Sequence, residues 1–347
     1  MSRWCAKKVK ELPMQQTIFF GNGINRLSNA EFEWSNFLSS VIEDKKHDFK
    51  GIANTHAYES MLIHRCSKPK GCACDILKKE EHDVKVRLAQ KLRDTHLSEE
   101  AQEIYEKLCS LTVKHILTTN YDNKFIELAE QKGYILDDSK RDISEHIFSL
   151  HRKYDLCKDY SEKYLWPIHG DINKEPSMML GYDHYCASIG AISKYINKGD
   201  KIYPHLDKYK IRREKESHND YLPYILYRVR HGNGDIVCWI DTFFMTDVHI
   251  LGFGMDFSEI DFWWILNKRA RLMQSYWNKD KHYPIKIRNK IYVYGHIDST
   301  AKLNLLNSYG VNTENATSNI PSDWGQSYLQ AIEQIQKNID NSSHSKH

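Results

Sequence analysis

The sequence predicts an α/β fold, a doubly wound, Rossmann-like parallel sheet with helices on both faces and additional helical insertions. Three observations lead to it. Short apolar stretches recur along the chain, among them Thr17–Phe20, His115–Leu117, Leu165–Ile168, Val248–Leu251 and Ile291–Tyr294. Segments of helical periodicity separate them, the alternation that builds parallel sheets. Two of the stretches run directly into a Gly-x-Gly turn, Gly21-Asn22-Gly23 and Gly252-Phe253-Gly254.

The first strand, Thr17–Phe20, leads into Gly21-Asn22-Gly23-Ile24-Asn25-Arg26, and a helix is expected from about Glu31 to Ile42. Closely spaced glycines after a strand let a backbone approach a ligand, and a helix N-terminus beyond them favours an anion. The third glycine of the dehydrogenase dinucleotide fingerprint is absent. A tight turn with no ligand is the plain alternative.

Residues from about 51 to 110 read as a mostly helical insertion, with Leu88, Leu92, Ile104 and Leu108 at helical spacing. Within it, His64 to Cys74 gathers His64, Cys66, Cys72 and Cys74. Paired CxxC spacings of a zinc ribbon are missing, so a solvated basic loop is expected and no metal site. The role of that loop stays open.

The second strand ends in Thr118-Thr119-Asn120-Tyr121-Asp122, just ahead of a helix. In open α/β sheets ligands bind outside the carboxyl ends of the strands. Asn120 can donate and accept hydrogen bonds, whereas an ionised Asp122 only accepts. The pair can orient a ribose, an amide or a water. Asp122 can equally serve as a helix cap.

An aromatic strand from Tyr164 then ends in His169-Gly170-Asp171. His169 sits where a glycine frees the backbone, and its neutral imidazole could serve as a general base. A second insertion, about 195–235, is dense in charge of both signs, so direct nucleic-acid binding is not expected. Val248–Leu251 leads to Gly252, Gly254 and Asp256, with Ser258 a candidate N-cap for the next helix. Residues 1–335 are read as a single domain carrying both insertions, and 336–347 as a disordered polar tail.

Composition narrows the classes. No apolar run approaches the roughly 20 residues of a membrane span. The N-terminus has no apolar core behind its charges, so no signal peptide is expected. The net charge of +3 is too small to argue for nucleic acid, and the eight scattered Cys suit a reducing cytoplasm.

Taken in order, the four loops resemble the sirtuin family over roughly residues 15 to 300. Gly21–Asn25 resembles its GAGxS loop, Thr119–Asp122 its QNxD motif, His169-Gly170 its HG, and Gly252–Met255 its later GxS loop. Sirtuin deacylases carry a four-Cys zinc ribbon between the last two motifs. Here that interval holds only Cys186 and Cys238. The pattern is similar to the sirtuin-like NADases of bacterial antiphage defence.

That resemblance implies an NAD+ glycohydrolase that cleaves the nicotinamide–ribose bond and depletes the infected cell's NAD. It implies NAD as substrate, no metal, and Asn120, Asp122 and His169 as catalytic residues. Gly21, Asn22, Gly23, Asn25, Thr119, Gly252, Gly254 and Asp256 would bind the dinucleotide. It further implies a homo-oligomer, an operon-encoded activating partner, or both. Two alternatives stay open, an NAD-dependent protein deacylase and a catalytically silent subunit that senses NAD or ADP-ribose. Whether NADP is also cleaved is open too.

Overall fold

The computed structural model describes residues 14–28, 52–65, 73–137, 149–199, 222–231, 235–277 and 287–344, with single positions at 38, 208 and 210. One eight-stranded sheet runs through it in the order β3-β4-β5-β2-β1-β6-β7-β8. The strands are β1 (Gln15–Phe20), β2 (His115–Thr118), β3 (Ile135–Leu136), β4 (Tyr154–Lys158), β5 (Ser161–Pro167), β6 (Thr246–Leu251), β7 (Ile291–His296) and β8 (Val311–Thr317). From β5 to β8 every neighbouring pair is parallel, and β4 and β3 add an antiparallel edge. The chain winds outward from β1 through β2 to β5, returns to β6 on the other side of β1, and continues to β7 and β8. The order therefore reverses between β1 and β6, and a ligand crevice is expected at their carboxyl ends.

The helices are α1 (Asn54–Arg65), α2 (Ala73–Arg93), α3 (Glu99–Ser110), α4 (Lys124–Gln131), α5 (Tyr182–Lys198), α6 (Tyr224–His231), α7 (Trp239–Met245), α8 (Ile260–Trp277), α9 (Thr300–Ser308) and α10 (Trp324–His344). Side chains alternate across the strands and divide the core in two. Phe19, Leu117, Trp166, Val248, Ile250 and Val293 face one layer, covered by α5, α6, α7 and α8. Ile18, Phe20, Ile116, Leu165, Leu251 and Tyr294 face the other, covered by α3, α4 and α10. The doubly wound arrangement read from the sequence is what the chain adopts.

A third apolar cluster lies across the carboxyl ends of β2 and β5. Ala57, Tyr58, Leu62, Val84, Leu88 and Leu92 of α1 and α2 pack there on Tyr121, Ile172, Met178 and Leu180. This is the first insertion, and it is smaller than 51–110. Helix α3 belongs to the sheet layer, with Ile104, Tyr105 and Leu108 in the core. Helix α6, at the end of the second expected insertion, is likewise core, since Tyr224, Ile225 and Leu226 are buried. Its Arg228 pairs with buried Asp241 at 2.6 Å. The expected helix from Glu31 to Ile42, apart from buried Leu38, and most of 198–221 lie outside the described residues, as do Cys66 and Cys72.

The expected disordered tail is corrected by α10, which continues through His344. Its polar residues face outward, but Ile335 and Ile339 are buried. Asn338 donates to the Tyr294 hydroxyl at 2.7 Å. A polar-looking stretch is thus held because Ile339 lies one turn beyond Ile335 on the same face and meets the sheet layer with it. No helix among the described residues is long and apolar enough to cross a membrane.

Deleting residues 336–347 removes Ile339 from the core and the Asn338–Tyr294 bond. Burial of one Ile is worth about 1.5–3 kcal/mol, so the truncated chain is expected to unfold at lower urea, with stability reduced by about that amount. An unchanged midpoint would show that α10 beyond Ile335 contributes nothing.

Candidate functional site

The loops after β1, β2, β5 and β6 meet at one edge of the sheet, and hydrogen bonds tie them together. Gly23 N–H donates to Gly252 O at 2.8 Å and Gly21 N–H to Leu251 O at 3.3 Å. A Cβ at Gly23 would lie 2.5 Å from the Tyr328 hydroxyl and 2.6 Å from Gly252 O. The two Gly-x-Gly turns therefore pack on each other, and these glycines are needed for that close approach. Gly254 is exposed, and its carbonyl accepts from Lys302 Nζ at 3.4 Å. Asp256 is exposed, and its carboxylate accepts from Ser258 N–H at 2.8 Å. Helix α8 begins at Ile260, and its first turn closes from Trp263 N–H to Glu259 O. Glu259, rather than Ser258, thus occupies the cap position.

Asn25 is fully buried and central to a polar network. Its Nδ2 donates to Asp122 Oδ2 at 2.7 Å and to Asn22 Oδ1 at 3.1 Å. Its Oδ1 accepts from the Tyr105 hydroxyl at 2.7 Å, and that hydroxyl in turn accepts from Asn120 Nδ2 at 3.2 Å. Tyr105 of α3 was not singled out by the sequence, where it is one aromatic at helical spacing. Asp122 Oδ1 accepts from Lys124 N–H at 3.0 Å at the start of α4. Asp122 thus bonds the first N–H of α4 from one position ahead of the cap residue, Asn123, and also ties that turn to Asn25. Burial raises the Asp122 pKa, while the Lys124 N–H and the Asn25 amide pull against it. Burial also pushes the Tyr105 phenol well up, so it remains a hydroxyl.

One atom of this network is left over. Asn120 is buried, and its Oδ1 has no hydrogen-bond partner. Buried polar atoms are nearly always paired, so an orphan calls for an explanation, whether a water, a ligand or local strain. Thr119, beside it, is half-buried.

The β5 loop lies next to this one. Ile168 N–H donates to Thr118 O and Ile172 N–H to Tyr121 O, each at 2.9 Å. Gly170 has φ +92°, and a Cβ there would stand 2.1 Å from Ser177 O. Only glycine fits, and the turn aims buried His169 at two carboxylates. His169 Nε2 lies 3.1 Å from Asp261 Oδ2, and Nδ1 lies 3.6 Å from Glu259 Oε2. Asp261 Oδ2 also accepts from Ser188 Oγ at 3.3 Å, and Oδ1 from Phe262 N–H at 2.8 Å. Glu259 Oε2 accepts from the Tyr185 hydroxyl at 3.2 Å. Asp171, two residues past His169, is buried with Oδ2 unpartnered.

Burial alone would lower the His169 pKa. The Asp261 and Glu259 carboxylates outweigh it and bring the value up to about 9. The neutral imidazole expected from the sequence is therefore not the resting form at neutral pH. Burial raises Glu259 to about 7, with His169 pulling it down and Asp261 pushing it up. The sequence showed Ser258-Glu259-Ile260-Asp261 as one helix start. Nothing in it indicated that both carboxylates meet a histidine some 90 residues earlier. His169, Glu259 and Asp261 could also hold a metal ion, since one ligand atom from each lies within 4.8 Å of the others. The direct His169–Asp261 hydrogen bond is the contact the structure contains.

Glu259 lines a small cavity of about 30 Å³ beneath α1, with Thr55, Tyr58, Tyr121 and Tyr185 among its walls. That space suits one or two waters. A larger surface groove lies at the opposite end of β2 and β5, near Val113 and Lys163, away from these loops.

Two outcomes follow from these contacts. Tyr105→Phe leaves Asn25 Oδ1 and Asn120 Nδ2 without their shared partner, and urea unfolding should show a loss of about 1–3 kcal/mol. The His169 ring is expected to titrate near pH 9 by NMR, and Asp261→Asn should move the midpoint down. Because the folded value is raised, the stabilisation is complete below the ordinary value of 6.5 and is lost as pH climbs through about 9. A ring that titrates near 6.5 would contradict the ion-pair geometry. Comparison with protein-family models and with curated proteins finds no match to either.

Proposed function

We propose that this chain is an NAD+ glycohydrolase, releasing nicotinamide and ADP-ribose, and that it acts as the NAD-depleting effector of a bacterial antiphage system. The observation that carries this reading is the unpartnered Asn120 Oδ1, buried at the carboxyl end of β2 beside the point where strand order reverses. A carboxamide oxygen there can accept from a ribose hydroxyl, an amide or a water. The four loops on which the sirtuin resemblance rests end at the same edge of the sheet.

The nicotinamide of NAD is cationic and leaves readily, so such a site needs positioning and support for positive charge on the ribose more than acid catalysis. Asn120 would orient the nicotinamide ribose or the attacking water. Asp122, fixed by Asn25 and Lys124, would place a carboxylate near the developing charge. The Gly21–Asn25 and Gly252–Asp256 turns would hold the dinucleotide. His169 would govern the proton on a ribose hydroxyl or water.

The cavity beside Glu259 is too small for a nicotinamide ring. Substrate entry there requires α1 to shift from its packing on Tyr121 and Leu180. This supports control by assembly, either by further copies of the chain or by an operon-encoded partner. A cytoplasmic location fits the substrate.

Replacing Asn120 or His169 with Ala should lower nicotinamide release about 100-fold or more, since such contacts are worth roughly 3 kcal/mol at a transition state. Both proteins should still unfold cooperatively. Release is measured on purified protein and on phage-infected cells expressing it. Activity retained by both variants would reject the assignment, and NAD bound without turnover in either setting would favour the sensing subunit.

A further inference from the structure

The arrangement around His169 bears on which group moves the proton. Neither ring nitrogen is turned toward open space. Nε2 is bonded to Asp261 at 3.1 Å, and Nδ1 faces Glu259 at 3.6 Å. Asp261 is 1% exposed, and each of its oxygens already accepts, Oδ2 from His169 and Ser188 and Oδ1 from Phe262. Glu259 differs from both. Its Oε2 is held by Tyr185 and faces His169, while Oε1 accepts no hydrogen bond from the described residues. It is the one carboxylate of the three groups that lines the water-sized cavity.

We propose that Glu259, rather than His169, is the proton-accepting catalytic residue, and that His169 and Asp261 are positioning residues that hold it. This rests on the glycohydrolase reading above. The C1′–N bond of the nicotinamide riboside breaks, and its electron pair passes to the ring nitrogen, which becomes neutral. A water oxygen bonds to C1′, and the proton it loses goes to the Glu259 carboxylate. His169 stays charged between the two acids and keeps Glu259 oriented.

The charges around Glu259 suit this role. From its own loop, Asp256 and Asp261 face it and favour its protonated form, as does burial, while His169 from the β5 loop opposes them. The Tyr185 hydroxyl of α5 donates to it, and the phenols of Tyr121 and Tyr58 stand in the same cavity wall.

The deciding experiment compares wild type, Glu259→Gln, Glu259→Ala and His169→Ala for nicotinamide release, with NAD affinity measured separately by calorimetry. Glu259→Gln should lose about 100-fold or more in kcat while NAD affinity stays within a few-fold. Glu259→Ala should regain part of its rate on addition of formate, which a purely structural loss would not allow. If Glu259→Gln keeps more than a tenth of the wild-type rate while His169→Ala is inactive, His169 is the base and the glycohydrolase reading survives without this assignment. A kcat loss in Glu259→Gln with no rescue of Glu259→Ala by formate makes Glu259 structural and also overturns the assignment. Wild type that releases no nicotinamide, purified or in infected cells, removes both.

Discussion

The hydrogen bond from Asn25 to Asp122, 2.7 Å long, is the contact on which the rest of the site depends. It joins the turn after β1 to the turn after β2, two loops 97 residues apart in sequence. Through Tyr105 it reaches Asn120 as well. Asn25, Tyr105 and Asn120 in that chain are buried, where an unpaired group is costly. The network therefore admits few arrangements, and the one adopted leaves a single carbonyl oxygen, Asn120 Oδ1, without a hydrogen-bond partner.

A second polar centre stands beside the first and works by charge. Glycine at 170 lets the β5 turn bend back under Ser177, and that bend sets His169 between Asp261 and Glu259. One histidine and two carboxylates buried together cannot all be neutral or all charged without strain on the balance. Here the two carboxylates favour the protonated imidazole of His169, and burial favours the protonated form of Glu259, the more exposed of the two acids. Under the proposed function the two centres would divide the work, the first as a fixed hydrogen-bonding frame and the second as the place where a proton moves.

Above both lies the apolar layer of α1 and α2. It buries Tyr121, Ile172 and Leu180 at the mouth of the β2 and β5 loops and leaves room for water but little more. Tyr121 contributes to both sides, with its ring in that layer and its hydroxyl donating to Met179 O. A shift of α1 would thus be felt directly by the Asn120–Asp122 turn.

Much of this was legible in the residues themselves. Apolar strands of four to seven residues followed by Gly-x-Gly, Asn-Tyr-Asp or His-Gly announce a parallel sheet with loops at its carboxyl ends, because both signals are local. Strands β3, β4 and β8 were not legible; β3 is only the two residues Ile135 and Leu136. Tyr154–Lys158 and the polar Val311–Thr317 lie in the outer part of the sheet, where little apolar pattern is required. The last turns of α10 were missed because Asn338, Ser342 and Ser343 obscure the single Ile339 that anchors them. Sequence also placed Asn120, Asp122 and His169 at strand ends, but not their state. Of the partners that fix it, Tyr105 comes from α3, 15 residues before Asn120, while Glu259 and Asp261 come from the start of α8, some 90 residues after His169, and burial sets how strongly those carboxylates act. Sequence determined which groups stand at the crevice. Tertiary structure decided which of their atoms remain free and which carry the proton, since both depend on contacts that exist only after the chain has folded.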